Sequence, residues 1–474
     1  MSWISRVVVI FTALVLIISC KDNKATQTVF SEKEQIGAVN DLIDRVTSGR
    51  SSEFVVHLLP ARQDSLDFFE FGTENGKIML GGNNGVSIAS ALGHYLREYC
   101  GYHLSWCGSD TVLPETLPLP EKTTTKTSPY KWRYYLNYCT FNYSMSWWDF
   151  DRWQKEIDWM ALNGINMPLA ITGQNSIWRR VYHKLGLTDA DLESFFSGPA
   201  YFNWFWMGNL DGWEGPLPQS FMEKHEQLQK QILYRERSLG MTPILPSFTG
   251  HVPPALIEKY PDVKAKNTQW VNFPKTYVLD PSEELFSKIG KLFLETQTEI
   301  YGTNHFYTAD TFNENEPPTN DPEYLKGVSA KVYHAMSEVD PEAVWVMQGW
   351  MFGYQRDIWD PQSVEALLSG APDDKMMVID LAVDFNNYVW KNGNSWDNLS
   401  GFYGKSWIWS TVPNFGGRTA LKGPLDFYLN GHIDAVKSEN KGRLTGFGTS
   451  PEGVENNEIL YELISAAAWS DSRI

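Results

Sequence analysis

From residue 134 onward, short apolar strands alternate with helical segments, and each strand runs into polar or aromatic residues. Strands are predicted over residues 134–140, 165–170, 242–248, 305–309, 343–348, 376–381, 406–410 and 443–448. Between them, amphipathic spacing predicts helices over residues 147–163, 177–187, 221–239, 283–301, 322–339 and 363–368, with a closing helix over 457–469. This gives about eight βα units, the count of a closed parallel barrel. The expected fold is α/β, a (β/α)8-type TIM barrel preceded by a small α/β domain. The 474 residues are enough for both.

A barrel of this kind keeps its chemistry at the C-terminal ends of its strands. The fourth strand runs into Asp310-Thr311-Phe312-Asn313-Glu314, and the eighth into Thr449-Ser450-Pro451-Glu452-Gly453. Two strand-end glutamates far apart in sequence suggest a pair that meets only in the fold, as the working carboxylates of glycosidases do. Glu314 suits the general acid, because Phe312 and Asp310 nearby supply the apolar and anionic surroundings that favour a protonated carboxyl. Glu452, on a turn between Pro451 and Gly453, suits an ionised nucleophile. Glu316 is the nearest rival to Glu314. Glu455 and Glu458 are explained by capping and the helix dipole. The remaining strand ends offer Asn137, Cys139 and Tyr143, then His251, Asn313, Trp350, Asp380 and Asn414. For any one of these, a cap, a satisfied core polar group or a loop anchor is an equal explanation, and His251 reads equally as a structural loop histidine. Their recurrence along many strands is the stronger signal.

The formal net charge of −17 excludes the basic footprint that nucleic acid requires. An aromatic share of 14%, with 20 Trp, fits a core rich in indoles, with a few near the strand ends to stack on sugar. No spacing of His, Cys, Asp and Glu suggests a metal site, and no cofactor is implied.

Residues 33–125 read as the small α/β domain, with strands at 54–59, 68–72 and 77–81, a hairpin turn at Asn75-Gly76 and a helix over 86–99. Residues 114–129, rich in Pro and Thr, form the linker, and residues 126–474 the barrel. The first 20 residues read as a lipoprotein signal peptide: Arg6, an apolar run over 7–18, and Ile18-Ser19-Cys20 at its end. Lipidation at Cys20 is expected, with residues 21–32 as a flexible tether and the cell envelope, periplasmic face or outer membrane, as the location. An ordinary signal peptide is the alternative. Cys100 and Cys107 are spaced to pair across a short loop, and the sequence does not decide whether they do. Cys139 reads as a free buried thiol.

These motifs resemble glycoside hydrolase family 89, the α-N-acetylglucosaminidases. The resemblance runs from about residue 90 to the end and rests on Tyr134-Tyr135-Leu136-Asn137-Tyr138-Cys139-Thr140 and Glu156-Ile157-Asp158-Trp159-Met160-Ala161-Leu162-Asn163-Gly164-Ile165-Asn166. Met207-Gly208-Asn209-Leu210, Ala309 to Glu314, Gln348-Gly349-Trp350, Asn414-Phe415-Gly416-Gly417 and Pro451-Glu452-Gly453 also carry it. It implies removal of terminal α-linked N-acetylglucosamine with retention of configuration, with a glycan as the partner. It matches Glu314 to the acid/base and Glu452 to the nucleophile. Asn137, Cys139, Tyr143, Trp204, Asn313 and Trp350 match the sugar pocket. In such a substrate the acetamido group is cis to the leaving group, so backside attack has to come from the protein. A carboxylate pair about 5–5.5 Å apart is expected.

Two departures stand out. Pro413 replaces the His of the family's His-Asn-Phe-Gly-Gly, which removes a polar pocket group. The chain ends soon after the closing helix, so the family's all-helical C-terminal domain is expected to be absent. A non-catalytic glycan-binding lipoprotein is therefore the alternative, and a hydrolase with altered sugar specificity a third reading.

Overall fold

The computed structural model describes residues 30–105, 108–109, 112–416, 423–455 and 457–473. The leader with Cys20, most of the tether, and Cys107 lie outside these residues.

The chain enters through the helix Glu32–Thr47, started by a reciprocal cap between Ser31 and Glu34. A four-stranded sheet follows, in the order Phe54–Leu58, Lys77–Gly82, Phe68–Glu74, Thr124–Thr127. Asn75 and Gly76, with φ of 49° and 75°, turn the predicted hairpin, as a tight two-residue loop requires. The helix Gly85–Cys100 covers this sheet, capped by the Asn84 side chain on Ser87 N–H.

Among the described residues, eight parallel strands then form the barrel: Trp132–Tyr135, Met167–Pro168, Leu245–Pro246, Phe306–Thr308, Val344–Gln348, Met376–Asp380, Ser406–Thr411 and Arg443–Thr449. The eighth pairs with the first. A parallel bridge from Leu169 to Ile244 joins the second to the third, with Ala170 N–H on Ile244 O and Ile244 N–H on Pro168 O, both at 2.9 Å. This contact brings together the two ends of the strand order, as a closed barrel requires. Gly446 and Gly448 let the last strand press against the first: a Cβ on Gly448 would sit 2.8 Å from the Tyr134 carbonyl.

Several strands are shorter than the apolar runs predict. The first ends at Tyr135, because Leu136 takes φ 88° and Asn137 turns the chain into the short helix Thr140–Tyr143. Trp147 and Trp148 precede their helix, which starts at Phe150 behind an Asp149 cap. Periodicity also gave no sign of the three-stranded antiparallel insert after the third strand: His251–Val252, Thr276–Leu279 and Ala265–Thr268.

The small domain is fastened to the barrel by buried charge. Asp158, on the helix Phe150–Leu162, accepts from Arg45 of the first helix at 2.6 and 2.9 Å and from Arg235 of the helix Gln219–Ser238 at 2.9 Å. Asp67 of the small domain pairs with Arg133 of the first barrel strand, both buried. No helix among the described residues is long and apolar enough to cross a membrane.

Candidate active site

At the C-terminal mouth of the barrel lies a cavity of ≈ 360 Å³. It is at the small end for ligand pockets, the scale of one sugar residue. Asn137, Cys139, Tyr143, Trp204, Asn313, Glu314, Trp350 and Glu452 all line it. Met207, Trp270, Gln348, Leu381, Phe415 and Gly416 complete the wall. A larger groove around Trp147, Phe221 and Lys224 draws no residue from a barrel strand.

Glu314 arrives from the fourth strand through a tight polar turn. Phe312 turns its ring toward Trp359, with centroids 5.9 Å apart. Asp310 accepts the Gln348 N–H at 2.8 Å. The groups that hold the Glu314 carboxylate are instead two indoles. Trp270 Nε1 donates to Oε2 at 2.6 Å and Trp350 Nε1 to Oε1 at 3.2 Å. The apolar and anionic surroundings expected from the sequence thus give way to a pair of N–H donors on large apolar rings.

Glu452 follows the eighth strand. Its backbone N–H donates to Asn414 O at 3.1 Å, and its Oε2 accepts from Gly416 N–H. The loop after the seventh strand therefore holds both the main chain and the carboxylate.

Cys139 shares the cavity wall with both glutamates. Burial, and next the Glu452 charge, drive its thiol well above the usual range, and Glu314 acts in the same direction. One thiol feeling both carboxylates ties the two acids to a single site. Asn203 Nδ2 donates to Cys139 Sγ at 3.1 Å. Asn137 Oδ1 accepts the Cys139 N–H at 3.0 Å while its own N–H bonds Thr140 Oγ1 at 2.9 Å, so Asn137 shapes the loop as well as lining the pocket. Rings form the walls. Tyr143, Trp204 and Trp270 make one side, Trp204 lying 5.7 Å from Tyr143 and 6.0 Å from Trp270. Trp350 and Phe415 stack at 5.9 Å on the other.

Three expected site residues do not reach the cavity. The His251 ring is buried, its Nε2 2.5 Å from Asp211 Oδ1, and it packs on Phe195 and Phe205. Asp380 is the last residue of its strand and is buried away from the cavity, its Oδ2 accepting the Trp396 N–H at 3.2 Å. Burial pushes its carboxyl up to about 7, and that of Asp310 likewise. Successive strand residues point to opposite sides, so the residue that lines the pocket is the next one, Leu381. Asn414 is buried and serves through its carbonyl. Pro413 is buried too and is not part of the cavity wall.

Of the residues that sequence reasoning missed, Gln348 stood beside Trp350 at a strand end, and Phe415 and Gly416 beside Asn414. Trp270 carried no signal, because it sits at the tip of the antiparallel insert.

A parallel barrel with glutamates from its fourth and eighth strands sharing one ring-walled pocket has the architecture of a glycoside hydrolase. The family model of the alpha-N-acetylglucosaminidase (NAGLU) TIM-barrel domain matches residues 133–471, and that of the NAGLU N-terminal domain residues 37–119. The chain belongs to the alpha-N-acetylglucosaminidase (NAGLU) family. It is 40% identical to human alpha-N-acetylglucosaminidase over 447 residues, 92% of this chain and 59% of the human one. It superposes with a TM-score of 0.83 and 30% identity on the family 89 glycoside hydrolase of Clostridium perfringens in complex with 2-acetamido-1,2-dideoxynojirmycin, covering 96% of this chain and 52% of that one. A form of Clostridium perfringens CpGH89 with two glutamates changed to glutamine, in complex with its substrate GlcNAc-alpha-1,4-galactose, matches with a TM-score of 0.83, 29% identity, and 95% and 52% coverage. The chain thus spans between half and three-fifths of the length of these relatives.

Proposed function

We propose that this chain is a retaining exo-glycosidase that removes terminal α-linked N-acetylglucosamine from glycans, with Glu452 as nucleophile and Glu314 as acid/base. The observation that carries the reading is the pair of glutamates on one sugar-sized cavity, both acting on the Cys139 thiol. The substrate bound by the Clostridium relative, GlcNAc-alpha-1,4-galactose, supports the sugar and the linkage.

In the first step the Glu452 carboxylate attacks the anomeric carbon from the face opposite the leaving oxygen. That carbon–oxygen bond breaks, and Glu314 gives its proton to the departing oxygen. In the second step Glu314, now a carboxylate, takes a proton from water as the water oxygen displaces Glu452. Two inversions leave the configuration unchanged. The Gly416 N–H keeps one Glu452 oxygen in place throughout. The small volume of the cavity, ≈ 360 Å³, supports cleavage at a chain end.

The test is turnover of a chromogenic α-N-acetylglucosaminide by the full chain. Turnover is expected with the α-N-acetyl substrate, and neither with its β-anomer nor with the α-glucoside lacking the acetamido group. Glu314→Gln and Glu452→Gln should each remove it. Sugar binding without turnover would establish the non-catalytic alternative instead.

The apolar leader ending in Ser19-Cys20 supports a lipid anchor at Cys20, and with it a location in the cell envelope outside the cytoplasm. Cys20→Ser is expected to move the protein from the membrane fraction to the soluble one, and a variant that stays with the membranes removes the anchor from the reading.

A further inference from the structure

Trp270 Nε1–H has two acceptors within reach. One is Glu314 Oε2 at 2.6 Å. The other is Asn209. With its amide turned to donate to Met207 O at 3.2 Å, Asn209 places its Oδ1 2.9 Å from the same indole nitrogen. An indole has one proton to give and no acceptor, so the two oxygens compete for it. Asn209 is buried, 1% exposed, and the turn that carries it is bound to the Trp270 hairpin through Thr276 Oγ1 on Gly208 O at 2.8 Å. Lys266 of the same hairpin donates to the Glu316 carbonyl, two residues past Glu314, so donor and both acceptors are held in one frame.

We propose that Asn209 and Trp270 form a positioning pair that lets Glu314 alternate between acid and base. The inference rests on the assignment of Glu314 as acid/base. A carboxylate accepts a charge-assisted bond and takes the indole proton, whereas a neutral carboxyl competes poorly and the proton passes to Asn209. Without Asn209, protonating Glu314 would leave an indole N–H weakly bonded in a half-buried site, a cost that would disfavour the acid form. Oε1, held by the longer bond from Trp350, is then the oxygen that gives and receives the catalytic proton. The other ionisable groups around this carboxylate are Glu452 and Cys139 across the cavity, the Tyr143 phenol on its rim, Asp310 beneath, Lys266 on the hairpin, and the Asp211–His251 pair behind Gly208.

The pH profile of kcat/KM distinguishes this from a purely structural role. Asn209→Leu removes the second acceptor and should move the basic limb down by about one pH unit, the tenfold effect of losing one neutral hydrogen bond. Turnover of substrates with poor leaving groups should fall about tenfold at neutral pH, and a dinitrophenyl glycoside, which needs little protonation, should be spared. Trp270→Phe removes the donor and should move the same limb up. The double variant should match Trp270→Phe alone, because Asn209 acts only through the indole. Shifts of the same sign, or additive effects, would overturn the proposal.

A second measurement needs no turnover. In the 15N-tryptophan-labelled full chain, the indole resonance absent from Trp270→Phe should titrate, and should stay flat in Glu314→Gln. If Asn209→Leu does not fold, Trp270→Phe and this resonance decide. A titrating resonance without hydrolysis would remove the enzymic reading and keep the proton-sharing geometry. Glu314-dependent hydrolysis with a flat resonance would remove only the pair.

Discussion

Azide should yield opposite anomers from the two glutamate variants. In Glu452→Gly the face opposite the leaving group is vacant, so azide attacks there and gives the β-glycosyl azide. In Glu314→Ala an activated substrate still forms the β-linked glycosyl-enzyme, and azide displaces Glu452 to give the α-azide. Without azide, the Glu452 variant should lose activity on the order of 10⁴-fold or more. The Glu314 variant should lose about 10²–10⁴-fold on substrates that need protonation. Product configuration by NMR decides the roles: the same anomer from both variants, or the two exchanged, would mean that they are assigned wrongly. The expectation follows from the layout of the site, with the carboxylates arriving from separate strands and each held by its own donors.

The second large effect concerns the joint between the domains. Asp67→Ala is expected to destabilise the protein by about 3–5 kcal/mol, the cost of leaving one member of a buried ion pair alone. Asp67 accepts from Arg133 and from Asn166 at 3.0 Å, Asn83 at 3.1 Å and Asn84 at 2.7 Å. Arg133 also donates to the carbonyls of Gly164 and Tyr130, and its guanidinium lies 5.2 Å from the Trp469 ring centroid. One charge therefore gathers the small domain, the first strand and the segment after the closing helix. Burial alone would raise the Asp67 carboxyl, but the Arg133 charge and the hydrogen bonds outweigh it and hold the group below the ordinary range. A depressed folded value means that the contribution is full at neutral pH and lost as pH falls through that value. Denaturant unfolding at pH 7 measures the loss, and a cost under about 1 kcal/mol would show that the joint is held by other contacts. Asp67→Leu with Arg133→Met should recover much of the stability, since it leaves no unpaired charge.

The barrel was legible because its strands are buried on both faces and read as apolar runs. Glu314 and Glu452 were legible because an ionisable residue following such a run has little reason to be there except chemistry. Cys139 and Asn313 stood out as strand-end residues, whereas Trp204 came from family resemblance alone. The errors have local causes. Asp380 and Leu381 are adjacent, and the sequence does not say which lies on the pocket side of the rim. His251 was expected just past a strand end, but it opens the strand His251–Val252 of the insert, and its partner Asp211 lies in an excursion whose path is set by packing. The antiparallel insert is made of strands of two to four residues, too short for periodicity to register.

By itself the sequence determined the sequence of βα units, the site at their C-terminal ends and the two carboxylates, because these depend on local burial patterns and on residue type. Only the tertiary structure decided what touches those carboxylates. Trp270 meets Glu314 across 44 residues of chain, and Asn209 meets Trp270 from a separate turn that Thr276 fastens to the hairpin. A hydrogen bond depends on ångström-scale placement of donor and acceptor. That placement comes from the packing of the closed barrel and its insert, and no short stretch of sequence carries it.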